Sequence, residues 1–538
     1  MPAAPERPQL VAVPGAPLFS ALAVSEKIKL AIAQDLKFVT MTPVQAATLP
    51  IILSGQDVLA KAKTGTGKTL AFLVPTIEHL LQSPRPAGAI RALVLSPTRE
   101  LATQTAVEAK ALSAHCPGFR TAIVVGGNKP SSDVARLAGE VDILVATPGR
   151  LKDHCDNTPG FSARLKGTRI LILDEGDQLL AAGFRPDIER ILRHVNPSRQ
   201  SLCFSATLPP ELQAVLGTAL RKDYKLMDCV GVDDPDTHAA VDQSFGVLGI
   251  EDLLPVMVAQ VALEMKDDPL AKVIVFFPTA RQTQLGAELL NALGVPALEI
   301  HSRKSQSKRD QAAAAFRAAK SALMCSSDVS ARGVDYPDVT LVIQVGMPTN
   351  REQYIHRLGR TGRAGKQGRG LLLLAPYEAG PVKTSLAGLP LADATAALGG
   401  SVDATLRSSV GVAMGRVPPE TRAQAYGAWL GFYNGMLGKF RWTKEELVRQ
   451  ANLLSRDVWA QPEPPALAAK TVGMMGLRGV PGLNVEKGQS GWKGGAGEQG
   501  GGGGGWKAQS RPAQNGPRGG GGGGGGGGGK PQGQHKRW

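Results

Sequence analysis

Three stretches of the chain carry residue types whose spacing suits phosphate chemistry. The first, Ala62-Lys63-Thr64-Gly65-Thr66-Gly67-Lys68-Thr69, is a glycine-punctuated loop that ends in an ammonium and a hydroxyl. Its glycines let the backbone wrap a polyphosphate, with amide N–H groups and a helix N-terminus turned toward the anion. Lys68 is expected to neutralise the β- and γ-phosphates and Thr69 to hold Mg²⁺. Ala62 stands where the usual pattern has glycine. The second, Leu171-Ile172-Leu173-Asp174-Glu175-Gly176-Asp177, is an apolar strand that ends abruptly in acids. Asp174 would bind Mg²⁺ through water, and Glu175 would orient and deprotonate an attacking water. Alone, this segment reads as an acidic helix cap; with a phosphate loop upstream it becomes an ATPase signature. The third, Tyr354-Ile-His-Arg-Leu-Gly-Arg-Thr-Gly-Arg363, concentrates His356, Arg357, Arg360 and Arg363 in a stretch badly suited to a core. Arg360 and Arg363 are candidate arginine fingers that reach across a cleft to a γ-phosphate.

Such groups need a scaffold that brings them together, and the apolar pattern describes one. Short β-branched runs alternate with longer helical patterns, as in parallel sheets with crossover helices. One set covers 57–60, 92–96, 122–125, 143–146, 170–173 and 201–205; a second covers 273–277, 297–300, 322–325, 339–345 and 370–374. A polar, Asp-rich break at 233–237 separates them. The expected organisation is an N-terminal segment 1–18, an α/β domain 19–230, a linker 231–241 and a second α/β domain 242–380. A helical extension 381–487 and a tail 488–538 follow. In the extension, Ala425, Trp429, Phe432/Tyr433 and Met436/Leu437 recur at helical spacing, as do Leu447, Ala451 and Leu454, which predicts a small helical unit packed on the second domain.

Composition excludes several classes. Over 538 residues, 61 Lys plus Arg against 46 acids leave a formal charge of +15. No stretch approaches the roughly 18–20 apolar residues that span a bilayer. Five scattered cysteines without a Cys-x-x-Cys pair argue against a disulfide framework or structural zinc and favour a reducing compartment. The tail holds 24 of the 65 glycines and a net charge of +6. It has almost nothing to bury and is expected to be disordered. Trp492, Trp506 and Trp538 sit beside cations there, a pairing suited to loose attraction to single strands and equally found in a soluble spacer.

Together these motifs make the chain resemble the DEAD-box ATP-dependent RNA helicases over roughly residues 19–376. The resemblance also rests on Pro97-Thr-Arg-Glu-Leu-Ala102, Gly126-Gly127, Thr147-Pro-Gly-Arg150, Ser205-Ala-Thr207, Gln306-Ser-Lys-Arg309 and Ser327-Asp-Val-Ser-Ala-Arg-Gly-Val-Asp335. Phe38-Val-Thr-Met-Thr42-Pro43-Val-Gln45, with Phe19 upstream, looks like the family's adenine-reading motif. The resemblance implies two RecA-like parallel-sheet domains in tandem that use ATP and Mg²⁺. It further implies RNA-stimulated ATP hydrolysis coupled to local unwinding of short duplexes and remodelling of RNA or RNA–protein complexes. By resemblance, Gln45 hydrogen-bonds the adenine edge in both directions, Phe19 stacks near the base, Thr42 belongs to the same motif, and Asp335 touches the ribose. Arg99, Gly127, Thr147 and Arg150 grip RNA from the first domain, and Arg309, Ser327 and Gly333 from the second. Ser205 and Thr207 couple ATP state to RNA strain, with His356 nearby. Such contacts to phosphate and 2′-hydroxyl position a strand without reading its sequence.

Four positions depart from the family pattern. Gly176 replaces Ala, which leaves both carboxylates and the expected activity, lowered if the loop is more flexible; Lys37 and Met41 replace Gly and Pro; Ser327 replaces Thr and keeps the hydroxyl. The extension, Lys470–Leu483 included, and Gln344-Val-Gly-Met-Pro348 look like a subgroup comprising the yeast mitochondrial splicing helicase and similar plant proteins, several of them organellar. The resemblance implies a longer RNA surface there. A chloroplast or mitochondrial location follows from that subgroup, and the nucleus or cytosol from the lack of Arg/Ser-rich character before Ser20. A soluble monomer is expected. Two other classes compete: an ATP-gated RNA clamp or annealing chaperone, supported by Gly176 and the basic tail, and a DNA-directed translocase, opposed by the adenine motif.

Overall fold

Runs of Val, Ile and Leu without polar alternation must be buried on both faces, which a parallel sheet covered by helices provides. The computed structural model describes residues 16–62, 65–127, 130–229, 241–328, 336–362 and 367–486. Lys63, Thr64, Gly333, Asp335 and Arg363, most of the expected linker and the tail 488–538 lie outside the described residues.

The first domain contains β1 (Val58–Lys61), β2 (Ile90–Leu95), β3 (Thr121–Val124), β4 (Val141–Ala146), β5 (Ile170–Asp174), β6 (Gln200–Ser205) and β7 (Lys225–Asp228). They form one parallel sheet in the order β3-β4-β2-β5-β6-β1-β7. The second domain contains β8 (Val241–Val247), β9 (Lys272–Phe276), β10 (Ala297–Ile300), β11 (Ala322–Ser326), β12 (Leu341–Val345), β13 (Gly368–Leu374) and β14 (Ala392–Asp393). Their order, β10-β11-β9-β12-β13-β8-β14, repeats the first sheet strand for strand. Successive residues of each strand feed opposite faces: Ala92, Val94, Ile170 and Ile172 enter one apolar layer of the first domain, and Leu93, Leu95, Leu171 and Leu173 the other.

Three strands escape the apolar pattern. β7 is a largely exposed edge, β8 carries Asp242, Gln243 and Ser244 in succession, and β14 is two residues long. β14 pairs with β8, so the second sheet draws its edge strand from the stretch assigned to the extension. The extension shares a core with the second domain: Tyr426, Trp429, Leu430, Leu447, Ala451 and Leu454 belong to the same buried cluster as Val273, Val275 and Ile343. The helices Pro419–Asn434 and Lys444–Asp457 carry these residues on the faces that their spacing predicts. The cysteines are all free, and no helix among the described residues is long and apolar enough to cross a membrane.

Lys37 adopts φ 57° in the turn before Thr42, a left-handed conformation where the family carries glycine. An L-side chain there costs roughly 1–2 kcal/mol, partly offset by the unfolded-state entropy of the glycine alternative. Lys37→Gly is expected to stabilise the chain by about 0.5–1 kcal/mol, read from the urea midpoint.

Candidate functional site

The sheet order β5-β6-β1 sets three carboxyl ends side by side, with Asp174 opposite Phe204 and Lys61 opposite Ser205 in register. Beyond β1 the chain enters the glycine loop, and Gly67, at φ 87°, starts the helix Lys68–Gln82. Lys68 is buried between that loop and the acids: its Nζ donates to Ala62 O at 3.1 Å and pairs with Glu175 Oε1 at 3.0 Å. Burial, reinforced by the Glu175 charge and opposed by Lys68, pushes the Asp174 carboxyl up to about 8. Asp174 Oδ2 and Glu175 Oε2 are buried without a hydrogen-bond partner. Glu175 also holds φ 51°, a strained conformation of the kind that functional sites retain. Among the described residues no cluster of three or more His, Cys, Asp or Glu could cage a metal. A cation here would therefore take its remaining ligands from phosphate and water, as Mg²⁺ commonly does.

The adenine motif is a capping box. Thr42 N donates to Gln45 Oε1 at 2.8 Å, and Gln45 N donates to Thr42 Oγ1 at 3.4 Å at the start of the helix Pro43–Leu53. Gln45 Nε2 donates to Gly67 O at 3.0 Å, so both ends of its amide are engaged and tie this motif to the phosphate loop. Gly67 has φ 87°, which strains any L side chain, and a Cβ there would also lie 2.5 Å from Gln45 Nε2. Phe19 is 3% exposed within the first domain's core, which leaves little of its ring for a base. Thr69 is half-buried in the first turn of its helix.

Asp177, which ends the acidic motif, gathers Ser205, Thr207 and His356 around it. Its Oδ2 accepts from Thr207 N at 3.0 Å and Thr207 Oγ1 at 2.8 Å, and its N donates to Ser205 Oγ at 3.0 Å. From the second domain, His356 Nε2 comes within 3.8 Å of the same Oδ2. His356 rides on the helix Arg351–Leu358; just beyond it Arg360 is fully buried, with Nε donating to His356 O at 3.2 Å. Arg357 serves structure instead, paired with Asp328 and set over the Phe276 ring.

The expected RNA residues gather at a second point of contact between the domains. Arg309 Nη1 pairs with Glu100 Oε1 at 2.6 Å, and Gln306 Nε2 donates to the same oxygen at 3.3 Å. Glu100 and Gln306 lie in motifs whose spacing assigns them no role. The Arg99 guanidinium lies against Gly126 and Gly127, space that a side chain at either glycine would take. Burial first, then the charges of Arg309 and Arg150, lowers its pKa. Three guanidiniums that repel one another in this way favour an anion in their midst. Arg150 is held by Asp133 at 3.5 Å, and Thr147, at the N-terminus of the helix Pro148–Asn157, has no side-chain capping bond. Ser327 is buried just beyond β11.

The chain matches the DEAD/DEAH box helicase family over residues 42–215 and the helicase conserved C-terminal domain over residues 256–365. It is 48% identical over 451 residues to DEAD-box ATP-dependent RNA helicase 26 of Oryza sativa subsp. japonica, spanning 84% of this chain and 83% of that one. It is 45% identical over 462 residues to DEAD-box ATP-dependent RNA helicase 25 of Arabidopsis thaliana, spanning 85% and 81%. Among solved structures, Mss116 bound to single-stranded RNA and UDP-BeF superposes with a TM-score of 0.75 at 27% identity, over 87% of this chain and 96% of that one.

Gly176 begins the helix Gly176–Ala181, and it is packed rather than loose: a Cβ there would meet Cys203 Sγ at 2.9 Å and Leu212 Cδ1 at 3.3 Å. Gly176→Ala, although it restores the family residue, is expected to destabilise by about 1–3 kcal/mol through overpacking. Adding Cys203→Ala should recover part of that loss in the same denaturation assay.

Proposed function

As a member of the DEAD-box ATP-dependent RNA helicases, the chain is an ATP-hydrolysing enzyme that acts on RNA, and we propose how its residues divide that work. The glycine loop and Lys68 hold the triphosphate, which draws Lys68 away from Glu175. That exchange frees Glu175 to orient the attacking water and take its proton. Thr69 and Asp174 would hold Mg²⁺, which neutralises charge on the phosphates; the orphaned Asp174 oxygen and the raised Asp174 pKa fit such a cation. Gln45 senses adenine by exchanging the bonds it makes to Thr42 and Gly67, with Phe19 at the edge of the base. Arg360, with Arg363 beyond the described residues, completes the γ-phosphate site from the second domain. Arg99, Gly127, Thr147 and Arg150 hold RNA from one side, and Arg309 and Ser327 from the other.

The observation that carries this reading is the pair of contacts across the cleft. His356 meets the acidic loop through Asp177, and Arg309 meets the RNA side through Glu100, so one closure aligns both sites. ATP and RNA each favour the closed arrangement because each touches both domains, which makes closure a population shift. Hydrolysis removes one of the two ligands, and the cleft reopens. We assign the domains to residues 19–230 and 242–380, with an extension over 381–487 that lends the second sheet its edge strand β14.

Steady-state ATP hydrolysis by the full chain, with single-stranded RNA or DNA, tests this. RNA alone is expected to stimulate turnover, and Lys68→Ala to abolish the stimulation. Glu175→Gln should lower kcat by at least about 10²-fold while it retains RNA in the presence of ATP. Unchanged turnover in that variant would remove Glu175 from the role of base. Glu100→Gln, which keeps the side-chain shape and drops the charge opposite Arg309, is expected to raise the RNA concentration needed for half-maximal stimulation several-fold.

A further inference from the structure

Glu378 is a buried carboxylate that the chemistry above leaves unused. It is 1% exposed, just beyond β13, and three donors converge on it. Met347 N at 2.7 Å and the Tyr433 hydroxyl at 2.5 Å donate to Oε1, and Ala375 N at 2.8 Å donates to Oε2. Two of these donors belong to the second domain, while Tyr433 belongs to the extension helix Pro419–Asn434. A buried carboxylate is stable only while its donors stay in place, so this arrangement holds the two bodies in one register.

The segment that Glu378 grips leads directly to the basic helix. Met347 lies four residues before Arg351, where the helix Arg351–Leu358 begins. Gly346, at φ 85°, passes so close that a Cβ there would lie 3.0 Å from Pro278 Cγ and 3.5 Å from Glu378 Oε1. The extension then makes a second tie, in which Lys439 Nζ donates to Thr349 O at 2.8 Å. Thr349 N donates to Gln353 Oε1 at 2.6 Å, and Gln353 N donates to the capping Asn350 Oδ1 at 2.8 Å. The extension thus holds the front of a helix whose far end carries His356 toward Asp177 and leads into Arg360.

We infer that Tyr433, Glu378 and Lys439 are positioning residues for ATP hydrolysis, through which the C-terminal extension aligns the helix Arg351–Leu358, and with it Arg360, against the phosphate site. The inference rests on the arginine-finger reading of Arg360. Displacing a catalytic group by about 1 Å can cost on the order of 10²-fold in rate, so the loss of one of two ties should cost about 3–10-fold.

The test uses the full chain at saturating RNA, with kcat, the KM for ATP, RNA affinity and Tm measured for Tyr433→Phe and Lys439→Met. The expected result is a fall in kcat of about 3–10-fold in each, with the KM for ATP and the RNA affinity within about twofold of the parent. Lys439→Arg, which keeps a donor, should recover most of the lost kcat. If either variant lowers Tm or RNA affinity while kcat holds at the parent value, its residue acts in stability or RNA contact and the inference falls for it. Lys439 is on the surface, so its variant decides the matter should Tyr433→Phe fail to fold. Arg360→Ala separates the two readings. Parent-like turnover in that variant overturns the finger assignment itself. An inactive Arg360→Ala beside parent-like Tyr433→Phe and Lys439→Met overturns only the role of the extension.

Discussion

One buried ammonium sets the form of the nucleotide site. Lys68 is the cation that Asp174 and Glu175 face at the edge of the first sheet, and its bond to Glu175 keeps two neighbouring acids inside the protein. Burial of either carboxylate would otherwise be costly, because charge leaves water without compensation. The sheet order exists in the service of that pairing. Residues near 62, 174 and 205 are far apart in sequence, yet β1, β5 and β6 deliver them to one edge, where Ala62 N donates to Ser205 O at 2.9 Å. Parallel strands point all their carboxyl ends the same way, so one edge can collect the glycine loop, an acidic pair and Ser205. The second sheet repeats the order and offers its own edge to the same cleft through His356 and Arg309.

Much of this was legible in the residues, for physical reasons that differ from place to place. The glycine loop and the acidic strand end stand out because their chemistry forbids a core role and their flanking strands are continuously apolar. The strands that face helices on both sides were readable for the same reason. β7, β8 and β14 were not, since their strand character comes from a neighbour's hydrogen bonds and not from their own composition. The role of Gln45 was half legible: the Thr42–Gln45 spacing announces a capping box, but the bond to Gly67 depends on a loop folded beside it. Asp177, Glu100 and Glu378 illustrate a common limit. Each is an acid with a decisive partner elsewhere in the chain, and no local pattern predicts which partner will arrive.

Of the departures from the family pattern, packing explains one. Gly176 suggested a looser acidic loop, whereas the place its methyl would take is closed off by Cys203 and Leu212, so the missing methyl matches a close approach of the helix to β6. Lys37 shows the opposite case, a side chain kept where the backbone favours none. Ser327 is buried and keeps a hydroxyl where the family carries threonine.

The aromatic content of the extension has a spectroscopic consequence. All six tryptophans of the chain lie at or beyond residue 429, three in the extension and three in the tail. Trp429 and Trp459 are buried, and Trp429 and Trp442 stand within a group of rings around Tyr377. Light absorbed at the red edge of the aromatic band therefore excites nothing in either catalytic sheet. The intrinsic emission of this protein is a built-in gauge of whether the extension is seated, and it is blind to the ATP site until a labelled nucleotide is added.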